Sequence, residues 1–235
     1  MMQRGLTFSG KILIFVVRLL ADVFFHLLNR TLVMGEEYLP KRKGVVIVSN
    51  HVSYLDPLLV GTILFSRIPH EMIYSPAKAE LFTLPLFGSI LIRVGGFPVK
   101  RNGRDLRAMK MMEELMKEGR VLIFPEGTRH DDGKLGEGKR ALGRLIYQTR
   151  PLVIPAALFG TGEVLPKGKF IPRFFLNMAV RFGPPLDLES YFQMEKGKET
   201  YEMLTKAVME GIGKLLEQNP LREGNSEEVK ELWKA

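Results

Sequence analysis

The sequence predicts an α/β fold, a mostly parallel central sheet flanked by helices, with an N-terminal membrane-interacting helical segment in front of it. Residues 44–49 (GVVIVS), 120–124 (RVLIF) and 152–158 (LVIPAAL) are continuous apolar runs rich in β-branched side chains, the pattern of strands buried on both faces. Segments with apolar residues at helical spacing alternate with them. That order builds a parallel sheet whose ligands sit at the carboxyl ends of the strands.

The first element is residues 12–28 (ILIFVVRLLADVFFHLL), which as a helix would reach about 25 Å, short of a hydrocarbon core of roughly 30 Å. Arg18, Asp22 and His26 recur every four residues along one stripe, and Phe15, Leu19, Leu20, Val23, Phe24 and Leu27 cover most of the rest. This is the pattern of a helix lying in an interface. A helix covering the core is the second reading. A span or secretory signal fits less well, because Arg18 and Asp22 interrupt the apolar run and no small-residue cleavage site follows. Residues 1–34 are therefore expected to form an interfacial anchor, and residues 35–235 the α/β domain with its C-terminal amphipathic helix.

Within that domain the strand at 44–49 is followed by an apolar helix at 57–68 and a strand at 70–75. Next come an apolar stretch at 82–92 that contains Pro85 and Gly88, and an extended segment at 95–100. Residues 105–117 carry Leu106, Met109, Met112, Leu115 and Met116 at helical spacing, a core-facing stripe closed by Gly119 as C-cap. After the strand at 120–124 a helix is expected at 138–149, then strands at 152–158 and 175–182, then an amphipathic helix at 201–218.

With 235 residues, 46% hydrophobic and 26% charged, the chain has globular composition and can bury a core. It has no Cys, which excludes disulfides, thiolate zinc sites and cysteine nucleophiles; four His leave little for a metal cluster, and no metal is expected. Net charge is +8. Residues 195–235 hold 7 basic and 9 acidic residues, so the basic excess belongs to residues 1–194. Such a field favours anionic partners: nucleic acid, anionic lipid, phosphorylated metabolites or an acidic carrier protein. Aromatic residues are 9% and form no base-stacking motif, so no nucleic acid is expected.

Two strands end in candidate chemistry. The first runs into Ser49-Asn50-His51-Val52-Ser53-Tyr54-Leu55-Asp56-Pro57. On one continuous helix His51 and Asp56 would lie about 140° apart; with His51 at the strand end and Asp56 opening the next helix, the turn can bring them together. An Asp before Pro is equally a preferred helix start, and a turn His equally a satisfied structural residue. In the functional reading the carboxylate fixes the imidazole tautomer and the other ring nitrogen takes a proton. The sequence has no Cys and no Gly-x-Ser-x-Gly elbow, so that proton can come from a substrate hydroxyl attacking an activated acyl group. Ser53 as a protein nucleophile is the lesser alternative.

The second strand runs into residues 124–129 (FPEGTR). Gly127 lets the backbone approach an anion, Arg129 can fork onto phosphate oxygens, and Glu126 can orient a basic neighbour or a substrate hydroxyl. Upstream, residues 95–101 (GGFPVKR) place Lys100 and Arg101 at the end of an extended segment. Residues 133–139 (GKLGEGK) match a phosphate loop in outline, but Arg140 stands where Ser or Thr is needed and no strand precedes, so a nucleotide site is rejected.

His51-x4-Asp56, Gly95-x-Phe97 with Arg101, Phe124-Pro-Glu-Gly-Thr-Arg129 and Val153-Ile-Pro155-Ala, in this order and spacing, resemble the glycerolipid acyltransferase family, in particular bacterial 1-acyl-sn-glycerol-3-phosphate acyltransferases. The resemblance covers about residues 35–190. It implies His51 as general base, Asp56 as its orienting partner, and acyl transfer from a thioester to the 2-hydroxyl of lysophosphatidic acid, giving phosphatidic acid without a covalent acyl-enzyme. It implies Arg101, Glu126, Gly127 and Arg129, with Lys100 beside them, around the acceptor phosphate. Lys78 would neighbour the reacting carbonyl and the Pro155 block would shape the acyl-donor side. The donor would be acyl-CoA or acyl-carrier protein, with no other cofactor. Glycerol 3-phosphate or another lysophospholipid is the alternative acceptor, and an anionic-lipid binding module is the non-enzyme alternative. Each buried CH₂ of lysophosphatidic acid contributes about 0.8 kcal/mol to staying in the bilayer, so the implied enzyme works at the membrane surface; it is expected to be monotopic or peripheral on the cytoplasmic face of the cell membrane.

Overall fold

The structure, a computed structural model, describes residues 8–68, 72–85, 87–100, 105–130 and 134–222. Helix α1 (Phe8–Asp22) continues as a π-helical turn (Val23–Leu28) into strand β1 (Arg30–Met34). There follow β2 (Val45–Ser49), α2 (Asp56–Arg67), β3 (Ser75–Lys78), α3 (Phe87–Arg93), β4 (Gly96–Val99), α4 (Leu106–Glu118), β5 (Arg120–Ile123), α5 (Arg140–Thr149), β6 (Leu152–Phe159), the single turn α6 (Thr161–Val164), β7 (Asn177–Phe182), α7 (Glu189–Phe192) and α8 (Lys198–Glu217). Five strands form the main sheet in the order β1-β7-β6-β2-β5, parallel except between β6 and β7, and β3 and β4 form a separate parallel pair. The mostly parallel α/β architecture is the one the continuous apolar runs predict, and β2 and β5 are buried along their whole length.

Alternate residues of each central strand serve two cores. Ile47, Leu122 and Ile154 pack beneath α2 with Leu59, Val60 and Ile63, while Val46, Val121 and Val153 pack against α4, α5 and α8. The strand directions place the loops. β2, β5 and β6 end at one edge of the sheet; β7 runs the other way, so its start lies there too, as does Arg30 at the start of β1, paired with Asn177. The turn after β2, the loop after β5, the segment between β6 and β7 and the end of the N-terminal helix thus share one edge.

Several expectations shift. Residues 30–34, placed within the anchor, are a strand of the main sheet, with Leu32 and Met34 buried. The strand expected at 70–75 lies later, at Ser75–Lys78, preceded by a single bridge from Tyr74 to Val121; residues 70 and 71 lie outside the described residues. Pro76 is tolerated there because, among the described residues, β3 pairs with β4 alone. The apolar stretch at 82–92 splits at Pro85 into a 3₁₀ turn (Ala79–Thr83) and α3. Gly119 does follow α4 but in extended rather than left-handed backbone, where its carbonyl accepts from Gly44 N–H at 2.9 Å.

The N-terminal helix has two dissimilar faces. Ala21 and Phe25 are buried in the core under α2, and Arg18 pairs with Asp22 (3.4 Å), donates to Ser66 Oγ (3.1 Å) and stacks over Phe65. Phe15, Leu19, Leu20, Val23 and Leu27 face outward, exposed. The polar stripe is thus turned partly onto the protein, and the apolar face is bare. No helix among the described residues is long and apolar enough to cross a membrane.

Phe25 is fully buried, so Phe25→Ala should cost about 3–5 kcal/mol, read as a lowered midpoint in urea unfolding. Leu20→Ser on the bare face should leave the midpoint within about 0.5 kcal/mol of the parent.

Candidate active site

The site is built where β2 leaves the sheet. After Ser49 the side chain of Asn50 replaces main-chain pairing: its Nδ2 donates to Leu158 O (3.0 Å) and its Oδ1 accepts from Leu158 N (2.8 Å). The backbone is thereby free to turn outward at His51. The turn closes on Asp56, which is fully buried. Its Oδ2 accepts from His51 Nδ1, Val52 N and Ser53 N, each at 2.8 Å, and its Oδ1 accepts from Thr161 Oγ1 at 2.6 Å. Asp56 does open α2, with Pro57 after it, but its side chain points back into the turn and caps nothing in its own helix.

The tautomer of His51 follows from its partner. A carboxylate only accepts, so Nδ1 carries a proton, and in the neutral imidazole Nε2 presents the lone pair. Nε2 makes no hydrogen bond among the described residues. Phe124 stacks on the ring at 4.1 Å between centroids and 19° between planes, fixing its orientation.

Glu126 lies behind the histidine, buried, with Oε1 accepting from His51 N–H and Oε2 from Gly136 N–H, both at 2.8 Å; His130 Nε2 stands 3.6 Å from Oε2. The sequence reading grouped Glu126 with the phosphate holders. Both oxygens are taken by main-chain donors, and a carboxylate repels an anion, so the geometry is that of a brace for the His51 backbone. His130 N–H, donating to His51 O at 2.9 Å, ties the same two segments together.

Around this brace stand cations. The Arg129 guanidinium lies 3.4 Å over the Tyr54 ring, and its buried Nη1 has no hydrogen-bond partner among the described residues. Gly127 adopts φ +68°, and a Cβ there would meet Lys139 Cε and Nζ at 2.7 Å. The Lys139 ammonium therefore covers the glycine, and among the described residues no side-chain hydrogen bond or ion pair engages it.

The remaining predicted residues are more scattered. Arg101 lies outside the described residues. Lys100, exposed at the end of β4, donates its N–H to Asp105 Oδ2 (3.3 Å); Asp105 also caps α4 through Ala108 N, and these bonds, Ala108's foremost, hold its carboxyl below the usual range. Lys78 pairs with Glu80 at 3.6 Å in solvent, and no bond among the described residues links it to His51. Pro155 is buried inside the sheet beside Val48, its carbonyl accepting from Gly183 N at 2.9 Å. Its missing N–H falls where β7 departs, which is why a proline fits in a central strand. Ser53, the lesser alternative, has a buried hydroxyl that donates to Leu165 O (2.9 Å) and accepts from Leu55 N (3.2 Å).

Sequence reasoning missed Asn50, Thr161 and Lys139. Asn50 adjoins His51, and a polar residue ending an apolar run was the available signal. Thr161 stands 105 positions from Asp56 and carries none. Lys139 was seen only within the rejected phosphate loop.

Comparison with known proteins shows the family. A family model described as Acyltransferase covers residues 30–158, from the start of β1 into β6 and so across both motifs. The chain belongs to the acyltransferase family. It is 34% identical over 158 residues to the chloroplastic 1-acyl-sn-glycerol-3-phosphate acyltransferase BAT2 of Brassica napus, covering 66% of this chain and 44% of that one. It is 30% identical over 193 residues to the 1-acyl-sn-glycerol-3-phosphate acyltransferase of Borreliella burgdorferi, covering 80% and 72%. The chain thus spans less than half the length of the chloroplastic relative. The crystal structure of the 1-acyl-sn-glycerophosphate acyltransferase PlsC from Thermotoga maritima superposes with a TM-score of 0.64 at 24% identity, covering 91% of this chain and 84% of that one, and shares its fold.

Thr161→Val should leave Asp56 Oδ1 buried without its donor and cost about 1–3 kcal/mol in urea unfolding. Glu126→Gln should cost about as much, because an amide N–H must face one of the two main-chain donors.

Proposed function

We propose that this acyltransferase carries an acyl chain from a thioester to the 2-hydroxyl of lysophosphatidic acid, giving phosphatidic acid. The observation that carries the reading is His51, held by Nδ1 at 2.8 Å from the buried Asp56, with Nε2 unpartnered, in the same turn as Tyr54, whose ring lies under the Arg129 guanidinium with its unpartnered Nη1. The names of the relatives support the same acceptor. Nε2 takes the hydroxyl proton as the oxygen attacks the thioester carbon. The tetrahedral centre then collapses, the C–S bond breaks, and the departing thiolate takes the proton back from the imidazolium. No bond to the protein forms. General-base help supplies typically about 10²- to 10⁴-fold, roughly 3–5.5 kcal/mol. Positioning of the phosphate by Arg129 and Lys139, with the backbone at Gly127 and the cations Lys100 and Arg101, supplies much of the rest.

The bare apolar face of α1 and the basic body support work at a membrane surface, with the chain monotopic or peripheral on the cytoplasmic face. The acyl donor is a thioester of coenzyme A or of acyl-carrier protein; both are basic-surface ligands.

Incubation of the purified chain with lysophosphatidic acid, or with glycerol 3-phosphate, and labelled acyl-CoA or acyl-carrier protein should yield labelled phosphatidic acid from the first acceptor. No labelled product with either donor overturns the reading; product from glycerol 3-phosphate alone moves it to another acceptor. His51→Ala should lower turnover by about 10²- to 10⁴-fold while vesicle binding persists, whereas a lipid-binding module would lose nothing. Asp56→Asn should lower it by about 10³- to 10⁴-fold through the wrong imidazole tautomer. Ser53→Ala should retain turnover within a few-fold at temperatures where it is folded, and Arg129→Ala should raise KM for lysophosphatidic acid by about 10- to 100-fold.

A further inference from the structure

We propose that the loop at 165–176, between α6 and β7, is a second membrane-docking element that inserts Phe170, Ile171 and Phe175 among anionic phospholipids and sets the height of the His51–Asp56 pair above them. The proposal rests on the interfacial reading above and adds a surface distinct from α1.

The loop sequence LPKGKFIPRFFL carries three cations and no carboxylate. Phe170, Ile171 and Phe175 are 88%, 82% and 83% exposed, a density of bare large apolar side chains that water alone does not favour. The loop is nonetheless pinned. Arg173 N donates to Val164 O (2.8 Å), Lys169 N to Pro166 O (3.0 Å), Phe175 N to Leu28 O (2.8 Å) and Leu176 N to Asn29 Oδ1 (3.1 Å). Phe175 adopts φ +61°, a left-handed backbone unusual for a bulky residue, and its ring is turned to solvent while Phe174 packs edge-on against Phe24 at 6.0 Å. Backbone strain that exposes an aromatic ring calls for something to receive it.

What receives it follows from two features. The surface is continuous with the outward face of the N-terminal helix through the Phe24–Phe174 contact, next to Leu27, and both lie at the carboxyl edge of the sheet. The cations alternate with the apolar tips, so that the tips enter an acyl layer while Lys169 and Arg173 meet phosphates, as in interfacial segments. A second copy of the chain would set like charges against each other. The loop also reports to the chemistry, because Leu165 O accepts from Ser53 Oγ and Thr161, four residues earlier, donates to Asp56.

The test uses the full chain with its sole Trp removed (Trp233→Phe) and a reporter introduced as Phe170→Trp, or as Leu20→Trp on α1, mixed with vesicles containing phosphatidylglycerol and brominated acyl chains. Both reporters should shift to the blue and be quenched, and Lys169→Gln and Arg173→Gln should each weaken vesicle binding by about fivefold. Phe170→Ser with Ile171→Ser should weaken it by about tenfold or more without changing the melting temperature. Quenching at position 20 but not at 170 overturns the loop proposal and leaves the interfacial reading standing; quenching at neither overturns both. A shift at 170 with acyl-carrier protein but not with vesicles overturns it in favour of a protein partner.

Discussion

A fully buried carboxylate surrounded by four donors organises this molecule's working edge. Taking the Asp56 charge out of water would cost several kcal/mol without compensation, and the compensation comes from one ring N–H, two main-chain N–H groups and one hydroxyl. Each donor constrains a different part of the chain. The two amides dictate the path of the turn from His51 to Ser53, the ring N–H sets the imidazole tautomer, and the Thr161 hydroxyl draws α6 from the far end of β6 onto the same atom pair. The turn geometry, the imidazole tautomer and the docking of α6 are therefore one constraint.

The parallel sheet makes that convergence reachable. β2, β5 and β6 deliver their carboxyl ends side by side, so His51 meets Phe124 and Asp56 meets Thr161 although the chain separates each pair by tens of positions. The antiparallel β7 and its partner β1 extend the same edge in the other direction and bring the end of the N-terminal helix to it. The end of the N-terminal helix and the His51 turn thus lie at one edge of the sheet.

Much of this was legible in the sequence. Strands buried on both faces leave continuous β-branched runs, and residues 44–49, 120–124 and 152–158 have them. The His51 and Asp56 pairing was legible as well, because five-residue spacing between a strand end and a helix start leaves the turn as the route by which they meet. β1 was read as anchor because its five residues follow an apolar helix directly, and only pairing with β7, far along the chain, distinguishes it. β3 was displaced because an edge strand holding Pro76 has no strong signature. Periodicity marked the polar stripe on α1 but could not say that Arg18 turns toward Ser66 and Phe65. The Glu126 brace was hidden for a different reason: its partners are main-chain N–H groups, which every residue but proline owns.

That brace also settles how an acidic residue can sit inside a loop proposed to receive a phosphate. At an effective dielectric constant of about 20, two like unit charges about 4 Å apart repel by roughly 4 kcal/mol, enough to forfeit a good hydrogen bond to the anion. A Glu126 carboxylate offered directly to the phosphate would impose that penalty. Turned inward instead, it is held by two amides and faced by His130, while Arg129 and Lys139 flank the loop at Gly127. The same inward turn fixes the His51 main chain just as Asp56 fixes its ring. One carboxylate therefore holds the imidazole ring of His51 and the other the backbone on which that ring is mounted, and neither is turned toward the proposed phosphate.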